Sequence, residues 1–230
     1  MGNMTTFCLM HSSGQGPEGW KLLVAELERR GHNALTPAFD VSRTDEGLVY
    51  HAETIVGALL RSGVRSQDVV LVAHSAAGMY LPLVAERWPP RRMVFLAAIV
   101  PRPGMSFIDQ FRADPSMFNP AWIGKKPTGE GVALEFVFHD CPAERLEWAL
   151  STQVLFYAKR AIEGPCPLKV WPQVPASYIV CADDRTITPA WQRKAARELL
   201  GVEPIEIPGG HSPNVSRPEV LADVLQQIAN

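Results

Sequence analysis

The run Val69-Val70-Leu71-Val72-Ala73 is apolar at every position, so both faces of the strand it forms have to be covered. It leads straight into His74-Ser75-Ala76-Ala77-Gly78, where a helix opens. A serine on such a sharp strand-to-helix turn sits in a strained conformation with its hydroxyl exposed, and the residues two places either side must be small to avoid clashing. The usual spelling is G-x-S-x-G; here Ala73 and Ala77 occupy the glycine places and keep the steric requirement. Ser75 is therefore the candidate nucleophile, set against the plainer role of a helix N-cap.

The same alternation recurs along the chain. Strands are expected at Thr5 to Met10, Asn33 to Thr36, Val69 to Ala73, Met93 to Ile99, Ala176 to Cys181 and Pro204 to Ile207. Helices are expected from about Pro17 to Arg30, Asp45 to Arg61, Ala76 to Trp88, Pro189 to Leu200 and Pro218 to Ile228. Apolar strands alternating with helices imply a mainly parallel sheet of about six strands, an α/β class. Between Pro101 and Pro175 the rhythm breaks into a stretch rich in proline and aromatics, helical in period only around Ala143 to Ile162. The expected organisation is a core from 1–100 and 171–230 with a cap insertion at 101–170.

With 230 residues and 47% of them hydrophobic, the chain can bury a sizeable core. A net charge of -2, with basic residues scattered among acids, provides no field for nucleic acid. Cys8, Cys141, Cys166 and Cys181 lack metal-site spacing and suit neither zinc nor a disulfide framework, so a reducing cytoplasm is expected. No apolar run approaches membrane-spanning length and no secretory leader is evident. Met1-Gly2-Asn3-Met4-Thr5-Thr6 fits an N-myristoylation pattern, but a strand follows within a few residues and the match is read as chance.

A serine needs a base, and the base needs an acid to orient it. The strand Ala176 to Cys181 ends in Ala182-Asp183-Asp184-Arg185, and the strand Pro204 to Ile207 ends in Pro208-Gly209-Gly210-His211-Ser212-Pro213. Parallel strands bring residues at their carboxyl ends to one edge of the sheet, so Ser75, an aspartate and His211 can converge. Asp184 is the expected acid because it sits at the loop tip before the next helix, leaving Asp183 as a turn or capping carboxylate. The oxyanion hole calls for two backbone amides: Ala76, directly after the nucleophile, and Ser13, in the loop His11-Ser12-Ser13-Gly14. Chain order Ser, Asp, His is the order α/β-hydrolases use.

On these residues the chain resembles an α/β-hydrolase of the hydroxynitrile lyase and plant methylesterase branch over nearly its whole length. The resemblance rests on His11-Ser12-Ser13-Gly14, Gly19-Trp20-Lys21-Leu22, Ala73-His74-Ser75-Ala76-Ala77-Gly78, Cys181-Ala182-Asp183-Asp184, Trp191-Gln192-Arg193 and Gly209-Gly210-His211. It implies an α/β-hydrolase fold with helices on both faces and a small cap, and a cofactor-free enzyme acting on small esters or cleaving cyanohydrins. Two positions bear on that choice. The lyases place a lysine after the catalytic histidine, where this chain has Ser212, which disfavours lyase activity. The lyases also carry threonine where esterases carry glycine after the loop histidine; Ser12 is more like the threonine and offers a hydroxyl to substrate oxygen, or simply forms a turn.

Gly14-Gln15-Gly16-Pro17-Glu18-Gly19 also spells G-x-G-x-x-G with Asp40 about 20 residues on, as a dinucleotide fold would. Three polar residues separate the strand from Gly14, and that reading leaves Ser75, Asp184 and His211 unexplained. His74 is expected to pack below the turn, His32 to cap a helix end, His51 to lie on a solvated helix face, and His139-Asp140-Cys141 to be structural rather than a metal site. Trp122, Phe136, Phe138, Trp148 and Phe156 are expected to form the cap's own core and line an apolar pocket, with Ser12, Trp122 and Phe138 as substrate contacts.

The sequence thus points to a serine hydrolase for a small carboxylic ester, thioester or lactone, with no cofactor and no metal. The expected partner is a small-molecule ester, with neither nucleic acid nor membrane, and a homodimer is compatible. Alternatives are a hydroxynitrile-lyase-like or other carbon-carbon lyase on the same triad, and a non-catalytic small-molecule receptor of the same fold. Only neutral imidazole accepts the serine proton, so activity is expected to rise with pH through the histidine titration.

Overall fold

In a computed structural model the wholly apolar segments form one sheet of six strands in the order β2-β1-β3-β4-β5-β6, every neighbouring pair parallel. The structure describes residues 4–40, 42–126, 128–155 and 158–229. Met1, Gly2 and Asn3 of the myristoylation pattern and the expected cap aromatic Phe156 lie outside them.

The strands are β1 (Thr6–Met10), β2 (Asn33–Leu35), β3 (Val69–His74), β4 (Arg92–Leu96), β5 (Ala176–Cys181) and β6 (Ile205–Ile207). The core helices are α1 (Lys21–Arg29), α2 (Leu48–Ser62) and α3 (Leu81–Arg87), with the later ones given below. Successive side chains of a strand point to opposite faces, and here both faces are apolar. Cys8, Met10, Leu71, Ala73, Phe95 and Val180 join one core with Ile55 and Leu59 of α2 and Val84 of α3. Phe7, Leu9, Val70, Val72, Ile179 and Cys181 join the other with Leu23 and Leu27 of α1. Covering both faces requires a helical crossover between each pair of parallel strands, which is what the sequence supplies.

Between β4 and β5 lie α4 (Phe107–Ala113), α5 (Glu130–Val132) running into a π-helical turn (Ala133–Val137), α6 (Ala143–Ser151) and α7 (Lys159–Glu163). The chain closes with α8 (Pro189–Leu199), α9 (Pro213–Ser216) and α10 (Pro218–Ala229). Leu221, Ala222 and Leu225 of α10 pack with α1 on the second face.

Of the elements that are shorter than their periodicity predicts, two are explained by tertiary contacts. The expected helix from Ala143 to Ile162 breaks after α6 because the Thr152 carbonyl accepts from the Gly16 amide at 3.0 Å, and the Thr152 hydroxyl donates to the Ala149 carbonyl at 2.7 Å and accepts from the Gln15 side chain at 2.9 Å. The expected strand to Ile99 ends at Leu96 because Ala97 takes a positive φ of 42° and the chain turns to lie against the segment after β3, the Ile99 amide donating to the Ser75 carbonyl at 3.0 Å. No helix among the described residues is long and apolar enough to cross a membrane.

Candidate active site

β3 delivers Ser75 at the sheet edge in a left-handed conformation, φ 57°, at the start of a 3-10 turn, Ser75–Met79. Such a backbone costs a non-glycine residue about 1–3 kcal/mol and persists only where its surroundings enforce it. Gly78 supplies the enforcement: a Cβ there would lie 2.1 Å from the Ile99 carbonyl oxygen, so only glycine lets the turn press this closely on the chain leaving β4.

His211 lies on the loop between β6 and α9, and its Nε2 stands 3.0 Å from the Ser75 hydroxyl. Its Nδ1 is 2.8 Å from Asp184 Oδ2. A carboxylate can only accept here, so Nδ1 donates and Nε2 is left as the acceptor for the serine proton. Asp184, on the loop after β5, is buried and saturated: Oδ2 also accepts from Gln192 Nε2 at 2.8 Å, and Oδ1 accepts from the Thr186 and Ile187 amides at 2.7 and 3.2 Å. Gln192 in turn donates to the Ile187 carbonyl and accepts from the Cys181 amide. It is fully buried on α8, and the Trp191-Gln192-Arg193 motif that contains it carries no role for it in the sequence.

Asp183 is elsewhere engaged. Its Oδ2 accepts from the Gly209 amide at 3.0 Å, while Asp140 Oδ2 accepts from the Gly210 amide at 2.9 Å. These carboxylates strap down the two glycines that precede His211. A Cβ on Gly210 would meet His139 Nε2 at 2.5 Å, and Gly209 has φ 111°, so both glycines are required by the strap. His139 and Asp140 thus brace the loop before His211, the His139 ring donating to the Asp183 carbonyl, and no group of metal-holding side chains occurs among the described residues. Burial pushes the Cys141 thiol up to about 11, and all four cysteines are free.

Ser13, from the loop after β1, and Ala76, directly after Ser75, both line the cavity that contains Ser75 and His211. Ala76 is the second residue of its turn, where backbone amides have no intrahelical acceptor and face outward. The cavity has a volume of about 310 Å³. Ser12 lines it as well, and its hydroxyl accepts from the Gly14 amide at 3.4 Å, the turn-forming contact. Trp122 lines it from the insertion.

Phe138 does not. The Phe138 amide bonds to the Ala133 carbonyl five residues back, and this wide turn shifts the phase of the side chains. Val137 faces the cavity, while Phe138 is buried with Ala133, Ala149 and Val215 in the insertion's own cluster.

The histidines also resolve. His74 packs beneath the turn as expected, its Nε2 donating to the His211 carbonyl at 2.7 Å, and burial first and the nearby His211 second lower its pKa to about 3. His51 is not on a solvated face. It is 1% exposed and lines the cavity, because α2 turns it inward beside Leu48 and Ala52. The His32 ring accepts from the Thr5 amide, and it is the His32 backbone amide, not the ring, that closes α1. The glycine-rich stretch 14–19 is shaped by packing, with a Cβ on Gly19 meeting the Gln15 side chain at 2.2 Å.

Residues 9–224 match the family model described as the alpha/beta hydrolase family. The chain is an α/β-hydrolase. This α/β-hydrolase is 30% identical over 197 residues to probable hydrolase R7 of Phoma sp., covering 76% of this chain and 74% of that one. It is 26% identical over 252 residues to methylesterase 2 of Arabidopsis thaliana, covering 97% and 95% of the two chains. Among solved structures, polyneuridine aldehyde esterase superposes with a TM-score of 0.81 at 22% identity, covering 99% of this chain and 100% of that chain. The methylesterase-like branch read from the motifs is therefore the one to which its relatives belong.

Proposed function

We propose that this α/β-hydrolase cleaves a small carboxylic ester, thioester or lactone through an acyl-enzyme on Ser75. The observation that carries the reading is the unbroken hydrogen-bonded series from Ser75 through His211 to the buried Asp184. Relatives that bear the names methylesterase and esterase support an ester as substrate.

His211 Nε2 takes the hydroxyl proton as Ser75 Oγ bonds to the substrate carbonyl carbon, and the Ser13 and Ala76 amides hold the oxygen that gains the charge. Collapse of the tetrahedral adduct breaks the bond to the leaving oxygen, which takes the proton from His211 and departs as the alcohol. Water then repeats the sequence: His211 removes its proton, the hydroxide adds to the acyl carbon, and Ser75 leaves with its proton restored. Asp184 keeps Nδ1 protonated and stabilises the imidazolium formed in each half. Each oxyanion donor contributes on the order of 100- to 1,000-fold.

The test is covalent labelling by a fluorophosphonate, together with hydrolysis of a panel of acyl and aryl esters. Labelling at Ser75 that disappears in Ser75→Ala and His211→Ala, with ester turnover lost in parallel, is the expected result. A folded protein that labels nowhere and turns over no ester overturns the reading and leaves a binding module. Aldehyde release from a cyanohydrin in place of ester turnover identifies a lyase.

A further inference from the structure

The cavity around Ser75 has walls of two kinds. The insertion contributes an apolar side, with Phe118, Trp122 and Val137. The core contributes a polar side, with His11, His51 and Tyr80. Tyr80 joins the turn at Ser75 to α3, five residues beyond the nucleophile, or about 10 Å along the axis of a 3-10 turn. Its ring is held in place by the His51 ring stacked at 5.5 Å and the Phe39 ring edge-on at 5.5 Å.

Tyr80 is 5% exposed, and its hydroxyl has no hydrogen-bond partner among the described residues. A ligand that fills the cavity strips this hydroxyl of solvent, and a buried hydroxyl left without a bond is costly. The ligand itself must therefore bring the partner. We propose that Tyr80 is a specificity residue whose hydroxyl hydrogen-bonds an uncharged hydroxyl on the substrate, so that hydroxylated esters are the preferred class. This rests on the ester-hydrolase reading above.

Charge decides against an acidic substituent. Burial holds Tyr80 well above its ordinary pKa and His11 and His51 below theirs, so all three face the cavity as neutral groups. Among the described lining residues Lys125 is the one with a fixed charge, and it lies exposed in the insertion. A carboxylate against Tyr80 would be desolvated among these neutral groups.

The experiment compares methyl esters of ω-hydroxyalkanoic acids of graded length with the matching alkanoates, and ω-hydroxyalkyl acetates with alkyl acetates for the alcohol side. At one length the wild-type enzyme favours the hydroxylated ester by about tenfold in kcat/KM, and Tyr80→Phe removes or reverses that ratio. The ratio is internal to each enzyme, so a general loss of folded protein cancels. Preference for the plain ester at every length, or a ratio unmoved within twofold by Tyr80→Phe, overturns the proposal. Ketones in which a methylene replaces the ester oxygen give the same comparison as binding, read by titration calorimetry. If no ester is turned over but the hydroxylated ketone binds about tenfold tighter in a Tyr80-dependent way, the hydrolase reading falls and the subsite stands; equal binding of the two ketones sinks the subsite.

Discussion

Asp184→Asn separates the proposed acid from its neighbour in a single measurement. Four donors converge on the Asp184 carboxylate: His211 Nδ1 and Gln192 Nε2 on one oxygen, the Thr186 and Ile187 amides on the other. Asparagine has one accepting oxygen. Turned toward the two backbone amides, it presents its NH2 to His211, which can answer only by moving its proton to Nε2, and that nitrogen can then no longer take the proton of Ser75. A wrong tautomer in a serine-histidine-aspartate site costs about 10⁴ in kcat, or about 5.5 kcal/mol of barrier. Gln192 meanwhile points a donor at a donor, and one such buried mismatch destabilises by roughly 1–3 kcal/mol, which for a chain of this size lowers the melting temperature by about 2–12 °C.

Steady-state turnover on the best ester of the panel, with thermal denaturation monitored alongside, reads both quantities. Asp183→Asn is the control. Its Oδ2 accepts from the Gly209 amide alone among the described residues, so its turnover should stay within about tenfold of wild type. Reversal of the two results would assign the acid to Asp183. If both variants keep wild-type turnover, imidazole orientation by a carboxylate is not what drives this site.

Three further outcomes follow from the geometry. Gly78→Ala must displace the Ile99 carbonyl that its Cβ would meet at 2.1 Å, so it should destabilise by roughly 1–3 kcal/mol and slow fluorophosphonate labelling of the protein that remains folded; unchanged labelling and stability would show that the turn is not held by this contact. Gln192→Leu leaves Asp184 one donor short and the Cys181 amide unpaired, and should lower kcat about tenfold with less effect on KM, read from full saturation curves. His74 is held near pKa 3 in the fold against about 6.5 when unfolded, so the unfolded chain gains a proton the folded protein refuses. Its contribution to stability is therefore complete above about pH 6.5 and lost as pH falls toward 3, at up to about 1.4 kcal/mol per pH unit. Denaturant midpoints between pH 7 and 4 should show a slope shallower by about one proton in His74→Asn, and an identical slope would contradict a buried neutral His74.

What could be read from the sequence divides along a physical line. β3 and the residues after it were legible because five consecutive apolar positions and three small ones leave one arrangement that avoids both exposure and collision. Asp184 and His211 were legible because parallel strands all end at one edge, which fixes where their following loops must lie. His51 was legible in principle: Leu48, Ala52, Ile55 and Leu59 mark the buried stripe of α2, and His51 falls on it, although Tyr50 and Glu53 beside it give the segment a polar look. The end of β4, the break after α6 and the inward turn of Phe138 had no local signal. Each is set by one long-range or irregular backbone bond that outweighs periodicity: Ile99 to Ser75, Gly16 to Thr152, Phe138 to Ala133.

One of those bonds, Gly16 to Thr152, belongs to a network that also supports the site. Gln15, in the loop after β1, donates to Thr152 at the end of α6 and accepts from Asn214 of α9, and Asn214 also donates to the Gly19 carbonyl. All three side chains are buried, so none of these bonds can be exchanged for water without loss. The insertion, the loop carrying Ser13 and the segment after His211 are therefore fixed to one another by a single polar network. A helix that continued past Thr152 would claim its carbonyl for a local bond, and the Gly16 amide in the loop after β1 would lose its acceptor. The helix is short because the loop must be held, and this is a constraint that acts between segments and leaves no period in either one.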